Sequence, residues 1–312
     1  MDIIYFDSST DLGQPQSSKP AIEPYAVLTK SSNALKFFYD DKKRDREGVD
    51  TEILDIDLAL IKCTEPDMGV ETEEERRPWA RYADSIDMVV FDDSFADYHE
   101  LRSTKSWFAS MKKLTSIRGL NYLRTENVTD MSSMFDRCES LQELDLSSFD
   151  TGKVRNMEYM FNWCKSLQFL DVSSFDTSDV RTMQNMFFAC RALQTIDLSS
   201  FDTGKVTNMN SMFGFCDSLQ SLDLSGFNTG HVTDMGTMFF NCYSLHSLDL
   251  TSFNTEHVTD TGMMFYGCDS IESLDLRSFN LEYVENMKDM FGACQSLREV
   301  KGDRVIDEYF SE

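Results

Sequence analysis

The feature that most constrains this chain is a column of evenly spaced cysteines. Cys138, Cys164, Cys190, Cys216, Cys242, Cys268 and Cys294 follow one another at intervals of 26 residues, and they are seven of the eight cysteines among 312 residues. A Met-Phe pair stands ahead of each: Met134-Phe135, Met160-Phe161, Met186-Phe187, Met212-Phe213, Met238-Phe239, Met264-Phe265 and Met290-Phe291. A second methionine column lies three residues further upstream, at 131, 157, 183, 209, 235 and 287, and only Thr261 breaks it. A 26-residue unit cannot bury its apolar side alone, so neighbouring copies must stack and share one continuous core. An ordinary globular domain is excluded, and a solenoid is required.

Within one copy, Met131, Met134, Phe135 and Cys138 fall at i, i+3, i+4 and i+7. That spacing predicts an apolar stripe on a short helix. Asp130, Asn156, Thr182, Asn208, Asp234, Asp260 and Asn286 stand one residue before the first column, and all are residue types that cap free N–H groups at a helix start. Leu141 to Leu146, Leu167 to Val172 and Leu193 to Leu198 alternate apolar with polar residues near their ends, which predicts a half-buried strand. A turn-rich stretch, Ser-Ser-Phe-Asp-Thr-Gly in its commonest form, leads through Val154, Val180 or Val206 into the next copy. The expected fold is an α/β solenoid with one short strand and one short helix per 26-residue repeat. Strands paired at ~4.8 Å would line up the Leu, Met, Phe and Cys columns inside.

The copy from Leu222 to Cys242, LDLSGFNTGHVTDMGTMFFNC, resembles the BspA-like leucine-rich repeat proteins of bacterial surfaces, whose units read much like LDLSSFDTSxVTDMSSMFxxC. The resemblance runs from about Thr125 to Gly302 and rests on a highly specific motif. It implies a leucine-rich repeat fold, no catalytic activity, adhesion or protein binding as the role, and a cell-surface or secreted location. Two departures stand out: Thr261 for Met, and Val300-Lys301 for the usual Leu-Asp, as in an atypical terminal repeat.

The repeat also sets the expected boundaries. Ile86 to Phe91 serves as a strand, and Trp107, Phe108 and Met111 take the places of Met134, Phe135 and Cys138 at a 27-residue offset, so a degenerate copy begins the solenoid at 84–303. Residues 1–24 lack periodic pattern and are expected to be a disordered tail. Tyr25 to Thr29 and Ala34 to Tyr39 flank the turn-forming Lys30-Ser-Ser-Asn, so 25–83 is expected to be a small cap containing a β-hairpin. Glu71 to Arg77 reads as an exposed loop or helix end, and 304–312 as a C-terminal cap or tail.

Chemistry is sparse in this pattern. No cysteine pair lies two to four residues apart, so no zinc motif is present. Cysteines in the apolar stripe read as a structural ladder of buried free thiols, with disulfides between coils as the alternative. Cys63 stands alone. The methionine columns read as core, and His99, His231, His246 and His257 gather no third ligand. No nucleophile–base arrangement or phosphate loop can be placed, so neither an enzyme nor a cofactor is expected. Twenty-nine Lys and Arg against fifty-four Asp and Glu give a net charge of −25, which repels nucleic acid and anionic membranes. No apolar run is long enough for a membrane span, and the first residues lack a secretory pattern. A cytoplasmic location is therefore open beside the one the resemblance implies, as is the question of whether Met1 is the natural start.

One column invites a ligand. Asp145, Asp171, Asp197, Asp223, Asp249 and Asp275 occupy mid-strand on the exposed face, where stacked like charges need compensation. Ser147, Ser173, Ser199, Ser225 and Thr251 could supply it by hydrogen bonding. A cation, or Lys and Arg of a partner, is the functional alternative. Beside this column the residue type varies, through Glu143, Phe169, Thr195, Ser221 and Ser247, with Arg277 near the end. Phe169 is the expected contact anchor. The sequence thus predicts a monomeric, non-catalytic module that binds a protein ligand, or adheres, through its strand face. The alternatives are a calcium-dependent assembly protein using the Asp ladder, and an acidic intracellular inhibitor.

Overall fold

A computed structural model describes residues 21–56, 77–302 and 305–306. The expectations for most of the 1–24 tail, for Cys63, for Glu71 to Arg76 and for most of 304–312 therefore lie outside the described residues. The N-terminal part is a five-stranded sheet in the order β3-β1-β2-β4-β5. Strands β1 (Glu23–Thr29) and β2 (Ala34–Asp40) form the hairpin that the turn residues announce, and β3 (Thr51–Asp55) pairs antiparallel with β1. The hairpin then continues into the solenoid, because β2 pairs in parallel with β4 (Met88–Phe91), the strand of the degenerate copy. Strand β5 (Ser116–Arg118) extends that parallel stack. An aromatic plug fills this end: Phe37 stacks on Trp107 at 5.4 Å, and Trp79 donates its indole N–H to the Trp107 carbonyl at 2.7 Å. It closes the apolar column that the first coil would otherwise present to water.

The regular coils correct the expected helix. Among the described residues no α-helix forms anywhere over 125–302. The run from Met131 to Cys138 is instead a chain of overlapping turns. Met134, Asp136 and Cys138 each donate their N–H three residues back, to Met131, Ser133 and Phe135. The intervening N–H groups point out of the coil. Met131, Ser133, Phe135 and Arg137 donate to Asn156, Glu158, Met160 and Asn162 of the next copy at 2.7–3.0 Å. Such alternation needs left-handed backbone at two positions per coil, and Ser133 and Arg137 have φ of 54° and 57°. The pair recurs at 159/163, 185/189, 211/215, 237/241, 263/267 and 289/293, and already at Ser106/Ser110 in the degenerate copy; only Gly267 is a glycine. For other residues that region costs roughly 1–2 kcal/mol.

Two physical reasons favour turns. An eight-residue helix is marginal in water, and it would spend its N–H groups internally, leaving none to bond the next coil. The i, i+3, i+4, i+7 spacing fits both arrangements, because the chained turns also aim those four side chains inward. Met131, Met134, Phe135 and Cys138 are fully buried.

The strand expectation is corrected in extent. Only the later copies pair as ladders: β6 (Ser221–Leu222) with β7 (Ser247–Leu248), and β8 (Ser273–Asp275) with β9 (Glu299–Lys301). The equivalent stretches at 141–146, 167–172 and 193–198 form no ladder. The continuous parallel bridging between coils sits elsewhere, at Ser103, Asp130, Asn156, Thr182, Asn208, Asp234, Asp260 and Asn286. From Asp130 onward these are the residues read as helix caps. They do cap, but for turns: the Asp130 carboxylate accepts the Ser132 N–H at 2.8 Å and the Asn208 amide oxygen accepts that of Asn210 at 2.8 Å.

Side-chain columns hold the coils together. Phenylalanine rings stack from Phe108 to Phe291 at 5.4–5.9 Å between centroids. Each of the seven ladder cysteine thiols reaches back one coil, as Cys164 Sγ donates to the Phe135 carbonyl at 3.2 Å and Cys190 Sγ to that of Phe161 at 3.2 Å. A third column was hidden in the turn-rich stretch. Thr151, Thr177, Thr203, Thr229 and Thr255 are buried, each hydroxyl donates to a backbone carbonyl of the next coil, and all but that of Thr177 also accept the N–H of the same residue: Thr203 Oγ1 lies 3.0 Å from the Asn228 carbonyl and 2.8 Å from its N–H.

Candidate functional sites on two faces of the coils

The strand face carries the residues singled out from the sequence. Glu143, Asp145, Phe169, Asp171, Thr195, Asp197, Ser221, Asp223, Ser247, Asp249 and Arg277 are exposed, and Asp275 is half-buried. Phe169 is 66% exposed among polar neighbours. Each carboxylate is fixed by its own chain: Asp145 Oδ1 accepts the Ser147 N–H at 3.0 Å and the Ser147 hydroxyl at 2.7 Å, and Asp249 does the same with Thr251 at 2.9 and 2.7 Å. Local side-chain-to-backbone bonds of this kind close Asx turns. They also hold the Asp145, Asp171, Asp223 and Asp249 carboxyls below their ordinary value, the hydroxyl contributing most. For Asp197 the Ser199 N–H contributes most.

Asp275 shows what a cation does on this row. The Arg277 guanidinium sits on it, Nε 2.9 Å from Oδ1 and Nη2 2.6 Å from Oδ2, while Oδ1 keeps the Arg277 N–H at 3.2 Å. That fork lowers its carboxyl to about 2. The outer oxygen of a row carboxylate is therefore reachable by a guanidinium without disturbing the turn.

The cysteines offer no reactive thiolate. Cys138 through Cys268 are fully buried free thiols, and Cys294 is partly buried. Burial pushes the Cys190, Cys216 and Cys242 thiols well above their ordinary value, which leaves them protonated and unreactive. Among the described residues no three His, Cys, Asp or Glu side chains converge as metal ligands. Among the same residues, no helix is long and apolar enough to cross a membrane.

The turn face carries a feature that the sequence reading missed. Phe188, Phe215, Phe240 and Tyr266 come from four successive coils and pack ring to ring at 5.2–5.3 Å. All are partly exposed. Trp163 lies beside them, with the guanidinium carbons of Arg137 and Arg191 at 5.8 and 5.6 Å from its ring centroid. The signal was available: aromatic residues depart from the consensus at the two positions between Phe and Cys, in the Phe-Asn-Trp-Cys, Phe-Phe-Ala-Cys, Phe-Gly-Phe-Cys and Phe-Phe-Asn-Cys copies. Read as part of a helix, these positions scatter over its polar side and do not form a stripe.

Comparison with known proteins agrees with the repeat. The family model described as "Mycoplasma protein of unknown function, DUF285" matches residues 102–221 and 189–303. A search of curated proteins finds no match. Three solved structures with some likeness are leucine-rich repeat proteins. One, from Bacteroides ovatus, is 18% identical with a TM-score of 0.34 over 70% of this chain and 61% of its own, so this chain spans less than two thirds of that relative's length. A leucine-rich cell surface protein from Faecalibacterium prausnitzii is 14% identical with a TM-score of 0.30, covering 72% of this chain and 81% of its own. One from Eubacterium ventriosum is 14% identical with a TM-score of 0.30, over 91% and 83%. The BspA-like character of the repeats stands, since the matched family model spans the copies that carry the motif.

Proposed function

The chain belongs to the Mycoplasma protein family DUF285, and from that premise we propose that it is a non-catalytic module that binds a protein, or adheres, through the strand face of its coils. Residues 25–83 would serve as the cap of that scaffold and 84–303 as its binding length. The observation that carries the reading is the row of carboxylates pinned by Asx turns, with Arg277 already docked on one member. A rigid, evenly spaced row of this kind selects Lys and Arg of a partner at little ordering cost. Phe169, 66% exposed beside the row, supplies an apolar anchor, and such anchors carry a large share of interface energy. The location that fits this role is the cell surface.

The test uses the intact chain immobilised against cell-surface and lysate proteins, in parallel with the D171N/D197N/D223N and Phe169→Ser variants. A protein held by the parent and lost from both variants supports the strand face. A protein held equally by all three overturns it.

A further inference from the structure

The turn face holds its own cations at one end and leaves matching rings unfilled at the other. Arg137, Lys165 and Arg191 stand in the first three regular coils, whereas 211–217, 237–243 and 263–269 contain neither Lys nor Arg. Arg191 shows how a guanidinium is held here: it lies 5.6 Å from the Trp163 ring and 5.4 Å from the Phe215 ring, and its Nη1 is 3.2 Å from Asp217 Oδ2. Ring contacts of this sort tie the repeat positions of Asp136, Arg137 and Glu139 to one face. On that face Phe240 and Tyr266 stack at 5.3 Å and 15°, and Tyr243, at the same repeat position as Arg191, is 42% exposed. Asp217 and Asp269 occupy that position in the coils on either side. The second oxygen of Asp217 is buried with no hydrogen-bond partner.

The Tyr266 ring packs closely on the next coil. A Cβ on Gly292 would come within 2.7–2.8 Å of the Tyr266 ring, so the missing side chain is what lets that ring lie over the next coil. A guanidinium gains most from flat, immobile rings flanked by carboxylates, because little ordering remains to be done on binding.

We propose that the patch formed by Phe240, Tyr243 and Tyr266 with Asp217 and Asp269 is a docking site for an arginine-bearing segment of a basic protein. Charge complementarity names the occupant. A chain of net charge −25 attracts a basic partner and repels a second copy of itself. The inference uses the turn face and does not depend on the strand row.

The test is calorimetric titration of the intact chain with nona-arginine and nona-lysine peptides at 0.5 M salt, where exposed charge attraction is screened. Nona-arginine is expected to bind at least tenfold tighter. The F240L/Y266L variant, which keeps apolar packing and removes the rings, is expected to lose that preference, and D171N/D197N/D223N to keep it. Should F240L/Y266L fail to fold, D217N/D269N decides, with a several-fold loss of arginine binding expected. Equal binding of the two peptides by the parent, or a preference that survives loss of the rings or carboxylates, overturns the proposal. So does loss of the preference in D171N/D197N/D223N, which would move the arginine site to the strand row. A dimer seen by sedimentation and abolished by F240L/Y266L would assign the patch to a second copy and likewise overturn it.

Discussion

The two sides of each coil solve different problems. On the turn side, alternate N–H groups bond the next coil through every copy, and the Phe rings and Cys thiols stack behind them. On the strand side of the regular coils, ladders form only at β6–β7 and β8–β9, with isolated bonds such as that from the Gln168 N–H to the Gln142 carbonyl elsewhere, and the outward residues differ from copy to copy. Cohesion through the backbone is therefore concentrated in the turn runs. The lesson is that the strand side is free to vary, because little of the stacking depends on it.

The largest effect that would break this contrast is loss of a mid-ladder ring. Phe213 is fully buried and stacks between Phe187 and Phe239 at 5.6 and 5.9 Å. Phe213→Ala is expected to cost about 3–5 kcal/mol, the usual range for a buried ring replaced by a cavity. Asp197→Asn, on the strand side, is expected to stay within about 0.5 kcal/mol, as exposed substitutions do. Urea midpoints of the two variants check this, and comparable losses would mean that cohesion is shared between the sides. Next in size is Thr203→Val. It removes the hydroxyl that serves both the N–H and the carbonyl of Asn228, leaving part-buried backbone groups without that partner at about 1 kcal/mol or somewhat more. An unchanged midpoint would show that the threonine column is dispensable.

The same contrast explains what the sequence could and could not reveal. Periodicity reports which side chains face the core, so the solenoid, the Met, Phe and Cys columns and the degenerate copy at Trp107-Phe108 are all legible in it. Backbone conformation is another matter. A run such as Met131 to Cys138 satisfies helical spacing whether its N–H groups bond inward or to the next coil, and residues such as Trp163 or Thr237 give no hint of a left-handed φ, since bulky and β-branched side chains ordinarily avoid it. The exposed strand-face residues were legible because a strand alternates. The aromatic stripe was not, because its visibility depends on the turn geometry that the spacing leaves open.

A smaller effect, of opposite sign in the two geometries, sharpens the point. Ala189 has φ of 58° and is buried. In a helix interior, alanine to glycine costs about 1 kcal/mol. At a left-handed position the same change relieves backbone strain, offset in part by the greater freedom of glycine in the unfolded chain. Ala189→Gly is therefore expected to be neutral or stabilising by up to about 1 kcal/mol. A thermal midpoint that falls by several degrees would restore the helix.

The smallest effect lies on the strand side and disappears in acid. The Arg277 fork holds the Asp275 carboxyl at about 2, below its ordinary value of 3.8. A carboxyl whose folded value is lowered stabilises the fold fully above its unfolded value, and that contribution is lost as pH falls through the folded one. The window is therefore between about pH 4 and pH 2. Asp171, lowered by the Ser173 hydroxyl and N–H alone, has no such fork. Arg277→Ala is expected to raise the Asp275 midpoint toward that of Asp171 in a carboxyl NMR titration and to leave Asp171 where it is. Above pH 5 the variant should be slightly less stable than the parent, and the difference should vanish as pH falls toward 2, where Asp275 is protonated with or without the fork. If Asp171 shifts together with Asp275, the row titrates as one unit, and the strand side is more tightly coupled than its sparse backbone pairing implies.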